Sequence, residues 1–104
     1  MSIETVIAEG KKEASWQVFR EIEESEGLVF SHTLEGELLW YTMEWAYEWG
    51  FRKGFGYSFE YYADGSDAFL QLLYHSTNEA MMYQARQMMY DAGIEDGKKL
   101  REAQ

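Results

Sequence analysis

The chain has 104 residues, neither cysteine nor proline, and a formal net charge of −10 from 19 acidic against 9 basic side chains. This excludes disulfides and thiolate metal sites, and it argues against direct nucleic-acid binding, because an acidic surface repels phosphate at long range. The same field attracts basic surfaces, including those that normally hold nucleic acid.

A chain of this size with 46% hydrophobic residues fits one helical domain spanning 1–104 around a modest core. The opening MSIETVIAEGKKEA lacks the apolar run of a signal peptide. No segment approaches the ~18 apolar residues a membrane span needs, so a cytoplasmic location is expected.

The first predicted helix runs from Ile3 to Glu26, with Ser2 as N-cap and Gly27 as its stop. Ile3, Val6, Ile7, Gly10, Ala14 and Val18 recur on one face. Glu21, Glu23, Glu24 and Glu26 follow where the helix dipole disfavours anions, so this end should fray or meet a cation from elsewhere. Leu28 to Phe30 then form a short apolar link.

The second helix is predicted from about Thr33 to Tyr62, with Glu35 and Glu37 in its favourable first turn. On a helical wheel Leu34, Leu38, Tyr41, Trp45, Trp49, Phe55 and Phe59 share one side; Trp40, Met43, Tyr47, Phe51 and Tyr61 lie roughly opposite. Ala63 to Ser66 reads as a turn, and Ser66 as the cap of a third helix from Asp67 to about Ala92 or beyond. There Leu70, Tyr74, Met81, Ala85, Met88 and Ala92 form one face, and Phe69, Leu73, Ala80, Tyr83 and Ile94 another. The fold class is therefore all-α, a three-helix bundle with two long helices apolar on two sides. Three helices cannot easily cover so much apolar surface, and aromatic residues are 17% of the chain, so the expectation is either a central helix sandwiched by its neighbours or, preferred, a homo-oligomer.

A shift of 43 residues lays Tyr47-Glu48-Trp49-Gly50-Phe51-Arg52-Lys53-Gly54 over Tyr90-Asp91-Ala92-Gly93-Ile94-Glu95-Asp96-Gly97. Glycine costs about 1 kcal/mol against alanine inside a helix. Two glycines on one stripe make sense where another backbone or a bulky ring approaches. Gly50, Gly54, Gly93 and Gly97, with Trp45, Trp49 and Phe51, are thus the candidate packing residues. A phosphate loop fits poorly: the glycines lack P-loop spacing, no strand precedes them, and the order is wrong for a dinucleotide fingerprint.

Neither His32 nor His75 stands in a Glu-x-x-His pair. His75 with Glu79, or Glu44 with Glu48, could share a helix face and hold a metal, though solvated faces explain both pairs more simply. No serine or threonine carries the signature of an activated nucleophile. No catalytic residue, metal or cofactor is expected.

The motif Tyr-x-x-Gly-apolar-x-x-Gly, at Tyr47 to Gly54 and Tyr90 to Gly97, resembles that of small acidic helical proteins of gut Firmicutes and their phages. In general character the chain is similar to phage anti-defence proteins, anti-CRISPR proteins among them. That resemblance implies an accessory protein, not an enzyme, that inhibits a basic host protein by occupying its nucleic-acid site. Glu21, Glu23, Glu24, Glu26, Glu35 and Glu37, clustered around one connection, are the candidate partner-binding residues. Alternatives are a self-assembling helical accessory protein, or a small-nucleotide sponge with Arg52 or Lys53 in a pocket between subunits.

Overall fold

The computed structural model describes residues 2–26, 34–57 and 79–104. Among them lie three helices and no strand: α1 (Ile3–Glu26), α2 (Leu34–Phe55) and α3 (Glu79–Glu102).

The start of α1 is capped by Ser2, whose Oγ accepts the Thr5 amide at 3.2 Å. Its far end does not fray: the helix persists to Glu26, and Ile22, inside the acidic run, is buried. Trp16 and Phe19 meet Trp40 while Lys11, earlier in α1, meets Glu48, later in α2, so α1 is antiparallel to α2 and its acidic end lies beside the start of α2. The positive end of that helix dipole complements the glutamates.

The second helix stops at Phe55, seven residues short of the expected end at Tyr62. Gly56 has φ 112°, and its amide bonds the Lys53 carbonyl at 3.1 Å while Tyr57 N bonds Arg52 O at 3.0 Å. This is a Schellman stop, which needs a left-handed residue and so favours glycine. Tyr57 folds back edge-on to Phe55, with ring centroids 5.8 Å apart.

The third helix does continue beyond Ala92, by ten residues, to Glu102. Gly93 and Gly97 do not stop it because both are buried in the interface with α2. The expected turn at 63–66, the Ser66 cap and the helix start at Asp67 lie outside the described residues.

Gly50 faces Tyr90 and Gly54 faces Ile94, so residue numbers rise together and α2 and α3 are parallel. Parallel neighbours need a return path about as long as α2, roughly 33 Å for 22 residues. The core gathers Leu39, Met43, Ala46, Tyr47 and Phe51 from α2 and Met81, Met82, Ala85 and Met89 from α3. Ile7, Val18, Phe19 and Ile22 of α1 close it. Toward the N-terminal halves of α2 and α3, methionines replace glycines in the core, a flexible filler where close backbone contact gives way to side chains.

The wheel faces divide unequally. On α2, Met43, Tyr47 and Phe51 are fully buried, whereas on the other side Tyr41 is 54% exposed and Trp45, Trp49 and Phe55 are half-buried. On α3 the expected second face fails at Ala80 and Tyr83, which are exposed. Its buried side instead widens to Met82 and Met89, next to Gly93 and Gly97. A wheel that scores only apolar side chains misses a face built partly of glycine. No helix among the described residues is long and apolar enough to cross a membrane.

Candidate interaction surfaces

The contact between α2 and α3 is backbone on backbone. A Cβ at Gly50 would collide with the Tyr90 carbonyl oxygen, and one at Gly93 with the Tyr47 carbonyl oxygen. One turn on, a Cβ at Gly54 would collide with the Ile94 carbonyl oxygen and one at Gly97 with that of Phe51. These contacts exchange under the 43-residue shift, because Tyr47 corresponds to Tyr90 and Phe51 to Ile94. The two copies of the motif therefore pack about a local two-fold axis along the helices. Each glycine directs a Cα–H at a carbonyl, a weak bond that recurs where helices touch. The whole stretch Tyr47–Phe55 is helical, so its amides serve the helix and form no anion cradle. Phe51 is fully buried in this interface. Trp45 and Trp49 lie on the opposite side of α2, ring to ring at 5.9 Å, with the Arg52 guanidinium 5.7 Å from the Trp49 ring.

All three helices meet at Tyr47. Its hydroxyl donates to Asp96 Oδ2 at 2.5 Å, and Gly10 of α1 leaves it room, since a Cβ there would strike the phenol oxygen. Burial, then the bond to Asp96 and the charges of Asp96 and Glu13, push the Tyr47 hydroxyl far above its ordinary value of 10.0. A second hook ties α1 to α2: Lys11 Nζ donates to Glu48 Oε1 at 2.8 Å and lies 3.7 Å from Glu44 Oε2. The Glu48 hydrogen bond, above all, holds the Lys11 ammonium above its ordinary value of 10.5. The carboxylates of Glu44 and Glu48, considered as a metal pair in the sequence, thus clamp a lysine. Among the described residues no group of three or more His, Cys, Asp or Glu could hold a metal ion; His32 and His75 lie outside those residues.

The outer face of α1 exposes Glu4, Glu9, Glu13, Glu21 and Glu24, with Lys12 and Arg20 among them. At its centre is Trp16, 49% exposed, set edge-on to Trp40 at 5.1 Å with the Arg20 guanidinium 6.0 Å from its ring. Of the candidate partner-binding residues, Glu21 and Glu24 are exposed here and Glu23 is half-buried with an interaction of its own. Glu37 is exposed on α2, and the antiparallel pairing brings it to the same end of the bundle. Glu26 and Glu35 belong to the ends of α1 and α2 nearest that site, but their side chains lie outside the described set. Sequence reasoning missed Trp16, Lys11 and Asp96. Trp16 stood off the apolar stripe of α1, which was the available signal; the other two depend on partners 37 and 49 residues away.

No protein-family model matches this chain, and no curated protein or solved structure matches it either.

Proposed function

We propose that the chain is a non-enzymatic interaction protein of the phage or mobile-element type, whose acidic face occupies the basic, nucleic-acid-binding surface of a host protein. The observation that carries this reading is Trp16: a large ring half exposed, yet fixed edge-on against Trp40, with Glu9 and Glu13 as well as Lys12 and Arg20 beside it, on a helix face whose glutamates outnumber its cations. Interfaces concentrate their energy in such aromatic anchors, and surrounding charge sets the sign of the partner and the speed of encounter. Glu21, Glu24 and Glu37 at one end extend the acidic surface and stand in for phosphates. Lys11 and Tyr47, whose protonation the fold perturbs, both hold helices together, which favours binding over catalysis.

The test is capture of basic proteins from a bacterial lysate by the immobilised chain, compared with Trp16→Ala and with the triple variant Glu21→Lys, Glu24→Lys, Glu37→Lys. Circular dichroism checks that each variant is folded. The reading expects both variants to lose the captured protein, and added DNA to compete for it. Undiminished capture by both would refute it.

A further inference from the structure

Five of the nine basic side chains, Arg52, Lys53, Lys98, Lys99 and Arg101, gather at the C-terminal ends of α2 and α3. In a chain with 19 acids, none of the five forms an ion pair with a described residue. Arg52 lies over Trp49 and Lys53 over Tyr90, with Nζ 5.8 Å from the ring centroid. Lys11, by contrast, engages two carboxylates.

Lys53, Lys98 and Arg101 line one groove, with Gly54 and Ile94 between them and Glu102 as its single acid. The Arg101 guanidinium rests against Gly56, where a Cβ would stand 2.8 Å from one of its terminal nitrogens. Its planar fork is thus placed by the positive-φ turn, yet it donates no hydrogen bond to the described protein. Cations at helix C-termini complement the dipoles, but only in part here. The two parallel ends supply about one negative charge together, and Glu102 one more, against three full positive charges. The acidic end near Glu37 is roughly 24 Å away along α2, about three Debye lengths at physiological salt, so its field barely reaches the groove.

We infer that this groove binds a compact phosphate-bearing anion, with Arg101 engaging two phosphate oxygens and Lys53 and Lys98 closing on the remainder. A planar fork suits that geometry and ammonium groups supply charge. The site suits a compact ligand because Glu95 and Glu102 lie within one turn of Lys98 on either side, so a long polyanion following α3 would meet carboxylates. Tyr57, 48% exposed and next to Gly56, offers a ring for a base if the phosphate belongs to a nucleotide.

Titration of the full chain with pyrophosphate, followed by calorimetry and by amide shifts, tests this. The expected result is saturable one-to-one binding, weakened about tenfold or more by the pair Lys98→Gln, Arg101→Gln. Arg101→Lys keeps the charge but loses the fork and falls between. A second arm compares inorganic triphosphate with ATP: Tyr57→Ala weakens ATP alone if a base stacks there, and weakens neither if free phosphate is the ligand. The charge-reversed acidic-face variant binds pyrophosphate as the parent does, so this proposal and the proposed function fail separately. No saturable binding, or binding indifferent to Lys98 and Arg101, overturns the inference. So does self-association without added anion that those substitutions abolish, which would give the groove to the acidic end of a second copy.

Discussion

The two interfaces of this bundle are built on opposite plans. Where α2 meets α3, glycines bring backbone against backbone with nothing able to move aside. Where α1 meets that pair, side chains do the work: Lys11 reaches two glutamates, Tyr47 reaches Asp96 past Gly10, and aromatic rings close the far end. The first interface is intolerant because its contacts are made by the chain itself. The second can adjust, and it even contains a buried hydroxyl, Ser15 Oγ, with no hydrogen-bond partner among the described residues. Rigid pairing of α2 and α3 provides the platform, and α1 carries the variable chemistry on its outer face.

The largest effect should come from adding one methyl to the rigid interface. Gly50→Ala or Gly93→Ala would gain about 1 kcal/mol of helix propensity on an open surface. Here the added carbon meets a carbonyl that is part of a helix, so a net loss of about 3 kcal/mol is expected in denaturant unfolding. The two substitutions act at one crossing, so the double variant should cost less than their sum.

The adjustable interface should lose less. Tyr47→Phe keeps the ring and removes the donor to Asp96, for an expected loss of about 2 kcal/mol. Its pH profile sharpens this. The folded chain holds the Tyr47 and Lys11 protons more tightly than the unfolded chain, whose ordinary values are 10.0 and 10.5. Both contributions are complete below those values and are lost as pH rises past them. Thermal stability should therefore stay level with respect to these two groups up to about pH 9 and fall above pH 10. Tyr47→Phe should remove the tyrosine share of that fall, and Lys11→Met the lysine share.

Lys11→Met itself should cost about 0.5–1 kcal/mol at neutral pH, since the ammonium is partly open to water. The smallest effect has the opposite sign. Ser15→Ala removes a buried hydroxyl that has no partner among the described residues and should stabilise the chain by up to about 1 kcal/mol. If Ser15→Ala instead destabilises, that site holds a bound water and α1 docks as firmly as α3.

Local signals in the sequence were legible. Ser2 and Gly27 gave the two ends of α1, and the four-residue glycine spacing marked a stripe that needs a close neighbour. The stop of α2 was also written there: Gly56 lies two residues from Gly54 and so off the stripe, just after the cations Arg52 and Lys53. The helix was carried through it because Phe59 and Tyr61 continue the aromatic faces of the wheel. The helical spacing of Gly93 and Gly97 allowed α3 to continue beyond Ala92, but how far was not legible until α2 was known to cover both glycines. The junction of Gly10, Tyr47 and Asp96 was illegible, since it joins one residue from each helix and only the parallel course of α2 and α3 brings them together. The side of α2 bearing Trp45 and Trp49 looked equivalent to the side bearing Met43 and Tyr47, because hydrophobicity alone does not rank two apolar faces.

The central claim is that α2 and α3 run parallel, locked by glycine contacts at their C-terminal halves. The cysteine-free chain allows this to be measured with paired spin labels at exposed sites, K53C with K98C as one pair and E37C with K98C as the other. Parallel helices require a short distance for the first pair and one longer by most of the ~24 Å between positions 37 and 53 for the second. The reverse order would mean an antiparallel pair and would contradict the account.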